Sequence, residues 1–144
     1  MAALIVTAAQ VLPTVGDPTA LGVAAEAITI GQAVAYAADL DKWVLGQGSC
    51  DDQYAGAEGY GIALTRARAY GQPLVVALPG HRVTLGAGAA PAAGIVYYFG
   101  PEPGGIFPFS DLISNDHVLA LCIGIGGNRV RIIPGAYDAG AVLA

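Results

Sequence analysis

GIVYYFGPEPGGIFPF, residues 94–109, decides how this chain is read, because it repeats in altered form the stretch GQAVAYAADLDKWV at residues 31–44. In each stretch a glycine opens a largely apolar five-residue run, Gln32–Tyr36 in one and Ile95–Phe99 in the other. Six loop-like residues follow, and a second apolar run begins at Trp43 or Ile106, so the two copies keep an offset of 63 without a gap. GPEPGG cannot continue a helix, since both prolines lack the N–H that a helix interior needs. The runs are rich in Val, Ile and Tyr, residues that suit a pleated surface. Each stretch therefore reads as a β-hairpin.

The repeat extends beyond the hairpin. GQPLVVALPG (71–80) aligns with GGNRVRIIPG (126–135), and upstream of them lie the short apolar runs GYGIALT (59–65) and HVLALCIGI (117–125). The spacing predicts two units, 31–80 and 94–135, the second about eight residues shorter, with the extra length of the first in residues 49–71. Each unit reads as strand, turn, strand, long loop, strand, turn, strand. The expected fold is mainly β: a small antiparallel β-barrel-like single domain of about eight strands, built from two duplicated four-strand units related by a pseudo-twofold axis. Residues 1–26 form an N-terminal arm or a first strand, and 27–144 form the barrel domain.

Composition narrows the function. Of 144 residues, 55% are apolar and only 12% charged, which suits one packed domain whose apolar surface is partly covered by other chains. With one lysine, five arginines and a net charge of −5, the chain is a poor ligand for a phosphate backbone. The N-terminus MAALIVTAAQ lacks the basic start of a signal peptide, and the uncharged run 83–101 is broken by glycines and Pro91. A soluble protein made in a cytoplasm, with no membrane partner, is the expectation.

No chemistry-bearing constellation emerges, so neither catalysis nor a cofactor nor a metal is expected. His81 and His117 sit in no nucleophile elbow and read as surface imidazoles. Cys50 and Cys122 have no ligand spacing and read as free thiols, with pairing left open. GIGGNR (124–129) runs on into a strand rather than a helix, against a dinucleotide loop. Asp39, Asp41, Asp51 and Asp52 read as solvated loop residues; a hydrolase built on Asp51 or Asp52 is the weakest reading. Arg66 with Arg68, and Arg129 with Arg131, are i, i+2 pairs that a strand would set on one face, suited to carboxylates on a partner protein.

The succession AITIGQAVAY, KWVLGQ, GYGIALTRARAYGQPLVVALPG, VTLGAGAAPAAGIVYYF, GGIFPFSDL and VLALCIGIGGNRVRIIPG covers roughly residues 27–135 and resembles the capsid decoration, or cement, proteins of tailed bacteriophages. Where such proteins often carry a polar turn with a glycine, this chain has ADLDKW and GPEPGG. The resemblance implies a small β-barrel-like protein, often a homotrimer. Such a protein binds the outer surface of an expanded icosahedral shell and clamps adjacent major capsid subunits. On that reading the capsid or subunit interface comprises the arm residues Leu4, Ile5, Val6, Val11 and Leu12, buried against another chain, together with Arg66, Arg68, Arg129 and Arg131. The alternative is a carbohydrate-binding or tail-associated attachment module with Trp43, Tyr97 or Tyr98 as a stacking platform.

Overall fold

The structure is a computed structural model, and it describes residues 4–47, 59–112 and 119–133. The fold is mainly β, with ten strands among the described residues: β1 (Thr19–Val23), β2 (Ala33–Ala37), β3 (Lys42–Leu45), β4 (Tyr60–Ala63), β5 (Pro73–Ala77), β6 (Arg82–Thr84), β7 (Val96–Phe99), β8 (Ile106–Pro108), β9 (Ala120–Gly126) and β10 (Arg129–Ile132). They form two antiparallel five-strand sheets, ordered β1-β5-β4-β2-β3 and β6-β10-β9-β7-β8. The strand count exceeds the eight read from the repeat because each unit takes one more strand upstream. The strands make up the small antiparallel single domain expected, arranged as two sheets rather than as one closed barrel.

The duplication is visible at the level of register. Tyr36 pairs with Trp43 as Phe99 pairs with Ile106, and Thr19 pairs with Ala77 as Arg82 pairs with Arg131. Loop hydrogen bonds repeat as well: Gly31 N–H donates to Ala63 C=O at 2.8 Å, and Gly94 N–H to Gly124 C=O at 2.8 Å. The offset of 63 holds for the first three strands of each unit, then steps to 61 where β9 answers β4 and to 54 where β10 answers β5. The last step corrects the sequence alignment of β5 with β10 by one residue. Most of the lost length lies between the two strands. In unit one they are joined by residues 64–72; in unit two Gly126, Gly127 and Asn128 close the turn, all at positive φ, a conformation these residue types accept.

The two units do not meet through equivalent faces. The alanine side of the first sheet (Ala33, Ala35, Ala37) shares a core with Tyr97, Phe99 and Ile106 of the second. The equivalents of those three residues in unit one, Val34, Tyr36 and Trp43, point the opposite way, around a separate cluster with Ala63, Leu74 and Val76. Unit one is thus stacked back-to-face on unit two, and the expected pseudo-twofold axis gives way to a head-to-tail arrangement. Small residues on one sheet and bulky ones on the other interdigitate to fill the layer between them.

Stacking of this kind explains the unequal lengths. The bulky face of unit two is covered by the back of unit one. The corresponding face of unit one is covered instead by its own loops. Ile28 and Ala67 bridge the segments 24–31 and 64–72 with hydrogen bonds of 2.8 and 3.0 Å, and both side chains are buried in the second cluster. The sheet also curls around that cluster: Ala24, just past β1, forms a parallel bridge to Trp43 on the far edge.

The N-terminal segment lies on this chain's own second sheet. Leu4 N–H donates to Ile106 C=O on the β8 edge, and Leu12 exchanges two hydrogen bonds of 2.9 Å with Thr84 on the β6 edge. Leu4, Val6 and Val11 pack against the shared core, whereas Ile5 (75% exposed) and Leu12 (58% exposed) face outward. The expectation that all five are buried against another chain is corrected for those three: residues 4–6 alternate inward and outward along the β8 edge, a 3-10 turn at Ala8–Gln10 follows, and Val11 then turns inward beside the Leu12 bridge to β6. β1, read as arm or first strand, is an edge strand of the first sheet along its full length.

Candidate functional site

His81 is 1% exposed rather than on the surface. Its Nε2 accepts the Thr14 N–H at 3.0 Å, and its Nδ1 lies 2.9 Å from Pro18 C=O. A neutral imidazole with one donor and one acceptor satisfies both, so the ring pins the arm to the interunit turn and has no nitrogen left for catalysis. Cys122 is a buried free thiol whose ionisation burial opposes, pushing its pKa up. His117, Cys50, Asp51 and Asp52 lie outside the described residues. Among the described residues no three His, Cys, Asp or Glu side chains converge as metal ligands, and no helix is long and apolar enough to cross a membrane.

The back of unit two is the surface with a distinctive composition. It is the counterpart of the alanine face that unit one buries, and among the described residues no second sheet lies over it. Register places Arg82, Arg131, Ile123 and Val96 in one row across β6, β10, β9 and β7, with Thr84 and Arg129 in the next. Tyr98, paired with Ala120 and Phe107, continues the apolar half, where the exposed Phe109 packs edge-on to it at 5.6 Å between ring centroids. The opposite sides of the same strands are buried, as Val130 and Ile132 are fully so.

Charge on this face is divided. Arg82 would sit directly opposite Arg131, a like-charge pair that costs stability in a sheet. Asp17 relieves it: its carboxylate accepts the Arg82 backbone N–H at 2.9 Å and two guanidinium N–H groups at 3.0 Å each. These bonds hold the Asp17 pKa down at about 2. Arg129 and Arg131 have no carboxylate partner among the described residues, and Arg131 is exposed. The face thus combines unneutralised guanidinium with aromatic and branched aliphatic side chains, the composition enriched in protein–protein contact patches.

The remaining sequence-derived residues distribute unevenly. Arg66 and Arg68 are exposed, but they flank the Ala67 bridge in the loop covering unit one rather than sharing a strand. They therefore lie on the other side of the molecule from Arg129 and Arg131. Trp43 (6% exposed) and Tyr97 (2% exposed) are core residues, so neither is a stacking platform; Tyr98 is half-buried on the back of unit two. Val96, Ile123 and Phe109 were not legible as a site, because only cross-strand register gathers them beside the arginines.

Fold and face together define a duplicated, head-to-tail β-sandwich with one end covered by loops and, among the described residues, no second sheet over the other. Compared with known proteins, the chain matches no family model, no curated protein and no solved structure.

Proposed function

We propose that this is a non-enzymatic structural virion protein that decorates the outer surface of an expanded phage capsid and clamps adjacent major capsid subunits. The carrying observation is the back of unit two, over which no second sheet lies among the described residues. Its Arg129 and Arg131, set beside Tyr98, Ile123 and Val96, suit a shell surface that offers carboxylates around an apolar patch. The outward-facing Ile5 and Leu12 supply apolar area for a second copy within a homotrimer. A protein that binds only the assembled lattice stabilises it by mass action, and contacts shared among linked copies add avidity. Net charge of −5 disfavours binding to the packaged nucleic acid.

The test mixes the purified protein with expanded capsids that lack it, bands the particles on a gradient and counts bound copies. Saturation at a fixed multiple of the icosahedral positions, with shells surviving higher temperature, is the expected result. Arg129→Glu/Arg131→Glu should weaken binding about tenfold or more while leaving the fold intact. Absence of co-migration by the unaltered protein overturns the decoration reading. Co-migration that the double variant does not weaken overturns the assignment of the face.

A further inference from the structure

A second feature lies at the end of the curled first sheet, away from the back of unit two. A cleft of about 590 Å³ opens between β1, the β2–β3 hairpin and the end of β5, within the size range of small-molecule sites. One wall is aromatic: Tyr36 and Trp43 pack edge-to-face with ring centroids 5.3 Å apart. Leu21, Leu78 and Pro79 supply apolar surface, and Asp41 stands at the hairpin turn with its carboxylate accepting the Tyr36 hydroxyl.

Two details separate this cleft from a gap in packing. Trp43 is almost wholly buried, yet its indole N–H has no acceptor among the described residues. A buried donor left unpaired is costly, and tryptophan N–H groups normally find a partner. The indole turns that N–H edge toward Gly22 on the cleft wall: a methyl group at residue 22 would stand 2.6 Å from Nε1 and 2.7 Å from Cδ1. Residue 22 thus carries no side chain where one would collide with that edge. The second detail is the Asp41 carboxylate, which lines the cleft and, with one oxygen taking the Tyr36 hydroxyl, keeps acceptor capacity for a further donor.

We infer that the cleft binds a pyranose unit of a saccharide, with Trp43 Nε1–H donating to a ring or hydroxyl oxygen, Asp41 accepting from hydroxyl groups, and the half-buried Tyr36 ring covering an apolar C–H face. The donor and acceptor chemistry selects this class. A cation would meet the positive edge of the indole rather than its π face. An anion such as phosphate would be repelled by Asp41. A purely apolar ligand would leave the indole N–H unpaired. A neutral ring of hydroxyl groups satisfies all three walls. The inference does not rest on capsid decoration, since it uses a different end of the molecule.

Trp43 is the sole tryptophan of the chain, so its emission reports directly on the cleft. The full-length protein is titrated with glucose, galactose, mannose and N-acetylglucosamine, and separately with tetramethylammonium and inorganic phosphate. The expected result is a saturable emission change with at least one pyranose and none with the two ions. Asp41→Asn, which tolerates the left-handed backbone at residue 41 (φ 52°), should weaken binding about tenfold by exchanging a charge-assisted hydrogen bond for a neutral one. Trp43→Phe, followed by calorimetry, should weaken it similarly while keeping an aromatic wall. No response to any pyranose, a response to either ion in its place, or pyranose binding unchanged in both variants overturns the inference.

Discussion

The back-to-face stacking can be tested at one contact between the units. Gly46 follows β3 in unit one, and Phe99 ends β7 in unit two. A methyl group at residue 46 would lie 2.7 Å from Phe99 Cζ and 2.9 and 3.0 Å from its two Cε atoms, well inside the ordinary carbon–carbon separation of about 3.5–4.0 Å. Gly46→Ala alone therefore overpacks the shared core and should cost about 1–3 kcal/mol. Phe99→Leu alone removes buried ring atoms and should cost about 1.5 kcal/mol, below the roughly 3–5 kcal/mol of truncation to alanine. Leucine has no atoms at the Cε and Cζ positions, so the new methyl group enters the space the ring vacates. The double variant should then be more stable than the sum of the single effects predicts, by at least about 1 kcal/mol. Urea unfolding at a fixed protein concentration measures the cycle, and the same concentration must be held because association shifts apparent stability. At this chain length the coupling corresponds to a recovery of about 3 °C in Tm. Additivity within about 0.5 kcal/mol would refute the contact, and with it the face on which unit two receives unit one.

Two further outcomes follow from the arm and its anchor. Asp17 has its carboxyl pKa lowered to about 2 in the fold, so its contribution is intact above the unfolded value near 4 and is lost as pH falls towards 2; Asp17→Asn should flatten that part of the stability–pH curve measured by thermal unfolding, and an unchanged slope would refute the role. His81→Ala leaves the Thr14 N–H and the Pro18 carbonyl without their buried partner and should destabilise by about 2–4 kcal/mol, with faster hydrogen exchange at Leu12 and Thr84; unaltered exchange there would show that the ring does not hold the arm.

The legible part of this protein was its periodicity and punctuation. GPEPGG and ADLDKW marked hairpin turns, and β10 announced its two faces through the alternation of Arg129 and Arg131 with Val130 and Ile132. What misled was the assumption that two similar hairpins must pair through the same face. AVAYA and VYYF align without a gap, but the alignment cannot show which side of each strand turns inward. β6 escaped notice because RVT is three residues long and forms only by pairing with β10 and Leu12. His81 read as exposed because its burial depends on Thr14 and Pro18, more than sixty residues away.

The sequence by itself determined a mainly β chain, a duplication, the hairpins and the arginine pair of β10, because each follows from local spacing or turn chemistry. Tertiary structure alone decided that the units stack back-to-face, that residues 64–72 cover the bulky face of unit one, and that Arg129 and Arg131 share a face with Tyr98 and Ile123. Those facts depend on which faces of two sheets lose water together, a property of pairs of surfaces distant in the chain that no single strand carries.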